Sequence, residues 1–187
     1  MFSSVNVKVA GFGGQGVMMF GQLLAYCATY EELYGLWFPS YGPETRGGTA
    51  NCSVIVSKKQ INSPVFQKAT HLVAFNLPSL EKFKEKMKDN GLILYNSSLI
   101  KDHVTSENAI CIGVPINEIA TDLGTTQVAN VVMMGAYLEL TNLFNEQTIE
   151  KVIAKFLGTR KAHMLDINME ALRRGKEYIL ESGVTYA

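Results

Sequence analysis

Short apolar runs alternate along this chain with longer stretches in which apolar residues recur every three or four positions. The short runs are rich in β-branched and other apolar residues, which predicts β-strands. The predicted strands are residues 5–10, 34–38, 51–57, 71–75, 92–95 and 109–114. The longer stretches have the periodicity of helices that bury one face or more. The predicted helices are residues 17–28, 78–88, 116–123, 128–144, 147–157 and 163–180.

The alternation of strands and helices predicts an α/β fold, with a three-layer, Rossmann-like domain and a mainly parallel sheet. The helix predicted at 78–88 lies between two buried strands, and Asn90-Gly91 supplies turn residues at its exit. Residues 51–57 are predicted as a strand or hairpin beside the sheet. No repeat or linker divides the chain, so we expect residues 1–187 to form a single domain with a helical C-terminal part.

A glycine-rich turn follows the first predicted strand and precedes the first predicted helix. Its candidate site residues are Gly11, Gly13, Gly14, Gln15 and Gly16. Glycines permit a tight turn, and the free amide groups at a helix N-terminus favour an anion. The spacing also matches the dinucleotide fingerprint G-x-G-x-x-G.

A dinucleotide site further requires an acidic residue at the end of the second strand, about 20 residues after the glycines. Glu31 and Glu32 precede that strand, and the next carboxylate after it is Glu44. A dinucleotide-dependent enzyme is therefore an alternative rather than the leading hypothesis. The phosphate-loop sequence is ruled out because no Gly-Lys-Ser or Gly-Lys-Thr is present.

Residues 41–51 form a second candidate functional segment, which combines glycines and proline with charged side chains. Its candidate site residues are Glu44, Arg46, Gly47, Gly48 and Asn51. The guanidinium of Arg46 suits bidentate binding of a carboxylate or phosphate, and the two glycines allow close backbone approach. The segment is either a binding or docking surface, or an irregular turn held by its own polar groups.

The composition of the chain argues against several classes of function. Seventeen basic and seventeen acidic residues leave a formal net charge of zero, so no charge block favours nucleic acid or a membrane surface. No apolar run approaches the roughly 20 residues of a membrane span, and no secretory signal is evident, so we expect a cytoplasmic protein.

Few side chains suggest catalysis or metal binding. The three cysteines are widely spaced and include no C-x-x-C, so neither a disulfide framework nor a metal or cluster site is predicted. His71, His103 and His163 stand alone and are expected at strand edges or on the surface. No catalytic residue is assigned.

The two candidate segments together resemble the paired signatures of the gamma subunit of 2-oxoacid:ferredoxin oxidoreductases. The first is Gly-Phe-Gly-Gly-Gln-Gly-Val at 11–17, and the second is Ser-Tyr-Gly-Pro-Glu-Thr-Arg-Gly-Gly-Thr-Ala-Asn-Cys-Ser at 40–53. The resemblance continues through residues 61–64, 75–79, 91–98 and 128–130. It covers nearly the whole chain except the terminal helices.

The resemblance implies a multi-subunit enzyme that decarboxylates a 2-oxoacid on thiamine diphosphate, passes electrons through iron-sulfur clusters to ferredoxin or flavodoxin, and forms an acyl-coenzyme A. In that family thiamine diphosphate lies between the alpha and beta subunits, and the clusters lie in beta or in a delta subunit. This chain is therefore expected to bind no cofactor alone. Its implied role is assembly, with a part in coenzyme A access, and 2-oxoglutarate is the expected substrate.

Under this hypothesis the glycine turn and the loop from Glu44 to Asn51 lie on one edge of the sheet, facing the alpha and beta subunits, with Arg46 as anchor. The same groups suit either a partner subunit or the phosphates of coenzyme A. A free-standing dinucleotide-dependent oxidoreductase and a binding module for a phosphate metabolite are the alternatives. Self-association through an apolar surface is a further option.

Overall fold

The structure is a computed structural model that describes residues 3–40 and 50–186. Its strands are β1 (Ser4–Gly11), β2 (Tyr34–Ser40), β3 (Ala50–Ser57), β4 (Ala69–Ala74), β5 (Met87–Asn96) and β6 (Ala109–Val114). Its α-helices are α1 (Val17–Tyr30), α2 (Leu77–Phe83), α3 (Ile116–Asp122), α4 (Ala129–Thr141), α5 (Glu146–Leu157) and α6 (Leu165–Ser182). Short 3-10 turns occupy Lys84–Lys86, Thr126–Val128 and Thr159–Met164.

The described strands form one sheet in the order β2-β3-β1-β4-β5-β6. Strands β1, β4, β5 and β6 are parallel to their neighbours in that series, whereas β3 is antiparallel to both β1 and β2. The predicted α/β fold with a mainly parallel sheet is therefore confirmed. Residues 51–57 were expected beside the sheet, but β3 lies inside it, because each of its edges pairs with a neighbouring strand.

Alternating side chains of the central strands fill two hydrophobic cores on opposite faces of the sheet. In β5, Leu92 and Leu94 join the core beneath α1, α4, α5 and α6, whereas Ile93 joins the core beneath α2. All three side chains are fully buried. Burial on both faces explains why these strands have continuous apolar runs rather than an alternation of apolar and polar residues.

Helices α4 and α6 pack against each other at two glycines. A Cβ atom added to Gly135 would overlap the carbonyl oxygen of Leu172, and one added to Gly175 would overlap that of Val132. The missing side chains let the two backbones approach closely. In residues 3–40 and 50–186, no helix combines the length and hydropathy that crossing a membrane requires.

The helix predicted at 78–88 is shorter than expected. Helix α2 ends at Phe83, and β5 begins at Met87, which is fully buried and pairs with Ala69 of β4. Strand pairing and burial of Met87 thus outweigh the helical propensity of the lysine-rich segment. The expected turn at Asn90-Gly91 lies within β5 instead, where Asn90 has a φ of 58° beside a shift in strand register.

His71 lies in the core, not at a strand edge or on the surface as expected. Its side chain is only 5% exposed, and its Nδ1 atom lies 2.8 Å from the hydroxyl oxygen of Tyr137 in α4. The ring of Tyr186 packs edge-on against the imidazole at 5.4 Å. Burial lowers the pKa of His71 to about 4, so the ring is neutral near pH 7 and pairs with a hydroxyl rather than a charge.

We predict that His71 makes the fold less stable as the pH falls from 6.5 towards 4. An unfolded histidine takes up a proton below its ordinary pKa of 6.5, whereas the folded protein does so only near pH 4. The unfolded state therefore binds more protons in this window, which removes about 3 kcal/mol from the free energy of unfolding. Urea unfolding of the wild type and of His71→Gln between pH 4.5 and 7.5 measures the difference in slope.

The matched control is His103→Gln, because His103 is exposed. This variant should retain the pH dependence of the wild type, whereas His71→Gln should flatten it. Equal slopes in His71→Gln and in the wild type would show that His71 does not titrate in this way.

Candidate functional site

The glycine turn lies at the carboxyl end of β1, where the parallel strands β1, β4 and β5 end together. Gly14 and Gly16 have φ values of 92° and 78°, a region that side chains rarely tolerate. At Gly16 a Cβ atom would also lie 2.5 Å from Nδ2 of Asn130, at the start of α4. The turn therefore needs glycine both for its backbone angles and for its contact with α4.

The side chain of Gln15 links this turn by hydrogen bonds to the neighbouring strand and helix. Its Oε1 atom accepts hydrogen bonds from the backbone N–H of Phe12 at 2.7 Å and from Nδ2 of Asn76 at 2.8 Å. Its Nε2 atom donates to the carbonyl oxygen of Phe75 at 3.4 Å. All three hydrogen bonds of the side chain thus go to the protein itself. We therefore expect Gln15 to contribute to binding of a ligand or subunit by fixing the shape of the turn.

Three further amide side chains extend this arrangement along the edge of the sheet. Asn76 caps α2, with its Oδ1 atom accepting from the N–H of Ser79 at 3.0 Å. Nδ2 of Asn96 donates to the carbonyl of Phe75 at 3.3 Å and to Oδ1 of Asn117 at 2.9 Å. Because Asn76 and Asn96 are buried, these hydrogen bonds fix the ends of β4 and β5 relative to the glycine turn.

A cavity of about 320 Å³ opens beside the turn. Gly14 and Gly16 line one side, and Asn117, Gln127 and Asn130 contribute polar amides from the other. The N-termini of α1 and α4 both open onto it, and α1 has no side-chain cap. Neutral amides and helix N-termini together suit a polar or anionic group of modest size.

The second predicted segment begins and ends at the same edge of the sheet. Ser40 of β2 pairs with Asn51 of β3, and Ala50 pairs with Gly11. The structure thus brings Asn51, which is buried, close to the glycine turn. The other predicted site residues of this segment, Glu44, Arg46, Gly47 and Gly48, lie outside the described residues.

The strand order argues against the alternative hypothesis of a dinucleotide-dependent enzyme. In a dinucleotide-binding domain the second strand lies beside the first and carries the acidic residue for the ribose. Here the antiparallel strand β3 separates β1 from β2. An acidic residue following β2 would therefore be displaced by one strand from the position that a dinucleotide requires.

Two of the described cysteines, Cys27 and Cys52, are poorly suited to ligating a metal. Burial raises the pKa of the Cys27 thiol to about 12 and that of the Cys52 thiol to about 11, which disfavours the thiolate. Within residues 3–40 and 50–186, no three His, Cys, Asp or Glu side chains lie close enough together to hold a metal ion.

Sequence reasoning assigned no role to Asn76, Asn96, Asn117 or Asn130. A signal was present, because Asn76 and Asn96 each come at the end of a buried strand, where open α/β sheets place their sites. The roles of Asn117 and Asn130 depend on how α3 and α4 pack against the turn, which no local pattern specifies.

Comparison with known proteins gives consistent matches over nearly the whole chain. Residues 6–178 match the family model described as pyruvate ferredoxin/flavodoxin oxidoreductase. The ketoisovalerate oxidoreductase subunit VorA of Methanothermobacter marburgensis is 40% identical over 95% of this chain and 37% of its own length. The 2-oxoglutarate synthase subunit KorC of the same organism is 33% identical over 94% of this chain and 97% of its own length. The chain thus spans little more than a third of the first relative and nearly all of the second.

Two solved structures share the fold. The gamma subunit of a keto/oxoacid ferredoxin oxidoreductase from Geobacter sulfurreducens aligns with a TM-score of 0.81 at 27% identity, over 95% of this chain and 99% of that one. A 2-oxoglutarate:ferredoxin oxidoreductase from Magnetococcus marinus, with 2-oxoglutarate, coenzyme A and succinyl-CoA bound, aligns with a TM-score of 0.88 at 25% identity. That alignment covers 100% of this chain and 32% of the other.

We predict that Gln15→Leu loosens the glycine turn. The substitution keeps an apolar stem but leaves the Phe12 N–H and the Asn76 amide without their acceptor, which should lower the free energy of unfolding by about 1–2 kcal/mol. Urea unfolding measures this loss, and amide hydrogen exchange should speed up in residues 11–20. Gln60→Leu, at an exposed position, is the control. Exchange in residues 11–20 equal to that of the wild type would contradict the assigned role of Gln15.

Proposed function

Because the chain belongs to the pyruvate ferredoxin/flavodoxin oxidoreductase family, we propose that it is the gamma subunit of a multi-subunit 2-oxoacid oxidoreductase. The complex would decarboxylate a 2-oxoacid oxidatively, form an acyl-coenzyme A, and reduce ferredoxin or flavodoxin. The observation that carries this proposal is the structural alignment with the Geobacter sulfurreducens gamma subunit, which covers 99% of that subunit's chain. Cytoplasmic location is part of the proposal.

Under this proposal the redox chemistry belongs to the partner subunits. Thiamine diphosphate and iron-sulfur clusters would be held by alpha, beta and a delta subunit. Two of the described cysteines, Cys27 and Cys52, fit the role of cluster ligands poorly, because burial raises the pKa of each thiol and so disfavours the thiolate. This chain would instead shape part of the chamber in which the other subunits act.

The carboxyl edge of the sheet is the surface that we assign to this role. The glycine turn, the adjoining cavity and the ends of β2 and β3 meet there. We propose that this edge faces the alpha and beta subunits and that Arg46 anchors the contact through a partner carboxylate or backbone carbonyl.

Coenzyme A is the second candidate ligand for this edge of the sheet. It would supply the thiol that accepts the acyl group. The structure with coenzyme A bound, from Magnetococcus marinus, contains a region similar to this entire chain, which supports this option. The helix N-termini at the cavity suit a phosphate, and the neutral amides suit the amides of the pantetheine arm. The cavity of about 320 Å³ would hold only a part of so large a ligand.

The substrate is a 2-oxoacid whose identity is proposed from the relatives. The sequence expectation was 2-oxoglutarate, and the relative KorC acts in 2-oxoglutarate synthase. The ketoisovalerate relative is the more similar of the two, at 40% against 33% identity. We therefore propose ketoisovalerate as the first substrate to test and 2-oxoglutarate as the second.

We predict that this chain, tagged in its native host, copurifies with other subunits of one oxidoreductase. The purified complex should reduce ferredoxin or a viologen dye with ketoisovalerate or 2-oxoglutarate, in a reaction that requires coenzyme A. The tagged chain refolded alone should be inactive with the same substrates. A chain that purifies without partners and carries a bound nicotinamide or flavin would instead support the dinucleotide alternative.

We predict that Arg46→Ala weakens the association of this chain with the complex about tenfold, because a bidentate charged contact is lost. Arg46→Lys, which keeps the charge without the fork, should have an intermediate effect. Assembly is measured by titrating the variant into a complex that lacks this subunit. A raised KM for coenzyme A with assembly intact would assign Arg46 to the ligand instead, and unchanged assembly and kinetics would remove it from the site.

A further inference from the structure

A second cavity, of about 500 Å³, lies on the face of the sheet that carries α2, and we call it the Lys8 cavity. Its described lining comes from Lys8 of β1, Phe83 of α2, residues 66–69 at the entry to β4, and Glu85 and Lys86 of the turn after α2. It shares no described lining residue with the cavity beside the glycine turn. Its volume lies within the range of about 300–1,000 Å³ that is typical of small-molecule sites.

Lys8 is an unusual residue for its position. It lies in a strand that is paired on both edges, between the fully buried Val7 and Val9, and its own side chain is half-buried. Its Nζ atom donates a hydrogen bond to Oγ of Ser53 at 3.1 Å and lies 5.0 Å from the centre of the Phe83 ring. Because an ammonium group has three donors, the bond to Ser53 leaves Lys8 able to bind a further acceptor.

The other charged side chains of the lining lie at the exposed margin of the cavity. Lys68, Glu85 and Lys86 are all exposed. Among the residues that the structure describes, Glu85 is the one acidic side chain of the lining, and it forms no ion pair with Lys8. Burial is the main reason that the pKa of Lys8 is lowered, so water solvates its ammonium group incompletely. A carboxylate brought into the cavity would supply the acceptor that water supplies poorly.

The walls of the Lys8 cavity favour a ligand that also has an apolar part. Phe66 and Phe83 each present a phenyl ring, and Ala69 is buried beside them. An aliphatic or aromatic group placed against these rings would remove apolar surface from water. A small inorganic anion could pair with Lys8 but would leave the rings without a partner. The lining thus fits an anionic head joined to an apolar body.

We propose that the Lys8 cavity binds a small carboxylate with a short apolar body. The carboxylate accepts a hydrogen bond from Nζ of Lys8, and the body packs against the rings of Phe66 and Phe83. Lys68 and Lys86 attract the anion to the mouth of the cavity. The inference does not depend on the proposed function, because it concerns neither the glycine turn nor the association of subunits.

The first test is the binding of isocaproate to the isotopically labelled chain, followed by amide NMR. We expect a dissociation constant of about 1 mM, with shift changes at residues 66–69 and 83–86. Isocaproamide lacks the charge, and acetate and inorganic phosphate lack the apolar body, so each should bind at least tenfold more weakly. No binding of isocaproate, shift changes confined to the glycine turn, or equal binding of any of these three compounds would overturn the proposal.

The second test uses variants of the lining in the same titration. Lys8→Met removes the ammonium group but keeps an unbranched stem, and it should raise the dissociation constant of isocaproate at least tenfold. Phe66→Ala keeps the charge but removes one wall, and it should raise that constant about threefold or more. Lys59→Met, at an exposed position outside the lining, is the matched control and should bind as the wild type does.

The amide spectrum of each variant without ligand shows whether it is folded. A folded Lys8→Met that binds isocaproate as tightly as the wild type would overturn the proposal. If Lys8→Met does not fold, unchanged affinity of Phe66→Ala for isocaproate would overturn it instead.

Discussion

The hydrogen bonds of Gln15 are the constraint on which the candidate site depends. A turn with three glycines between Gly13 and Gly16 has many accessible backbone states, and an ordered site needs one of them. Gln15 selects that state by binding the turn to itself through Phe12, to the end of β4 through Phe75 and to the cap of α2 through Asn76. The result is an ordered glycine turn suited to close approach by a partner or ligand, with the ring of Phe12 exposed beside it.

The antiparallel insertion of β3 distinguishes this fold from a dinucleotide-binding domain. By separating β1 from β2, it moves the carboxyl end of β2 away from the usual ribose position. The same insertion places β2 at the edge of the sheet, where Tyr34 and Phe38 are exposed. This feature of the topology thus disfavours a free-standing dinucleotide-dependent enzyme.

Much of the fold could be predicted from the sequence because strands such as β4 and β5 are buried on both faces and have continuous apolar runs. The two glycine-containing motifs were specific enough to indicate the family, and that resemblance is confirmed. Long-range interactions explain where the predictions from the sequence were wrong. The pairing of Met87 with Ala69 ended a predicted helix early, and the hydroxyl of Tyr137 allowed His71 to be buried.

The candidate site was only partly predictable for the same reason. The glycines were evident, but the amides of Asn96, Asn117 and Asn130 converge on them only after three separate elements have packed. Asn51 lies at the expected edge of the sheet. The functions assigned to Glu44, Arg46, Gly47 and Gly48 remain predictions.

We propose that the carboxyl edge of the sheet faces neighbouring subunits instead of serving as an independent active site. Hydrogen exchange of the glycine turn, residues 11–20, and of the start of α4, residues 128–132, compared between the isolated chain and the native complex, tests it most directly. The account predicts strong protection of both segments on assembly. Exchange in both segments that is the same with and without the other subunits would contradict it.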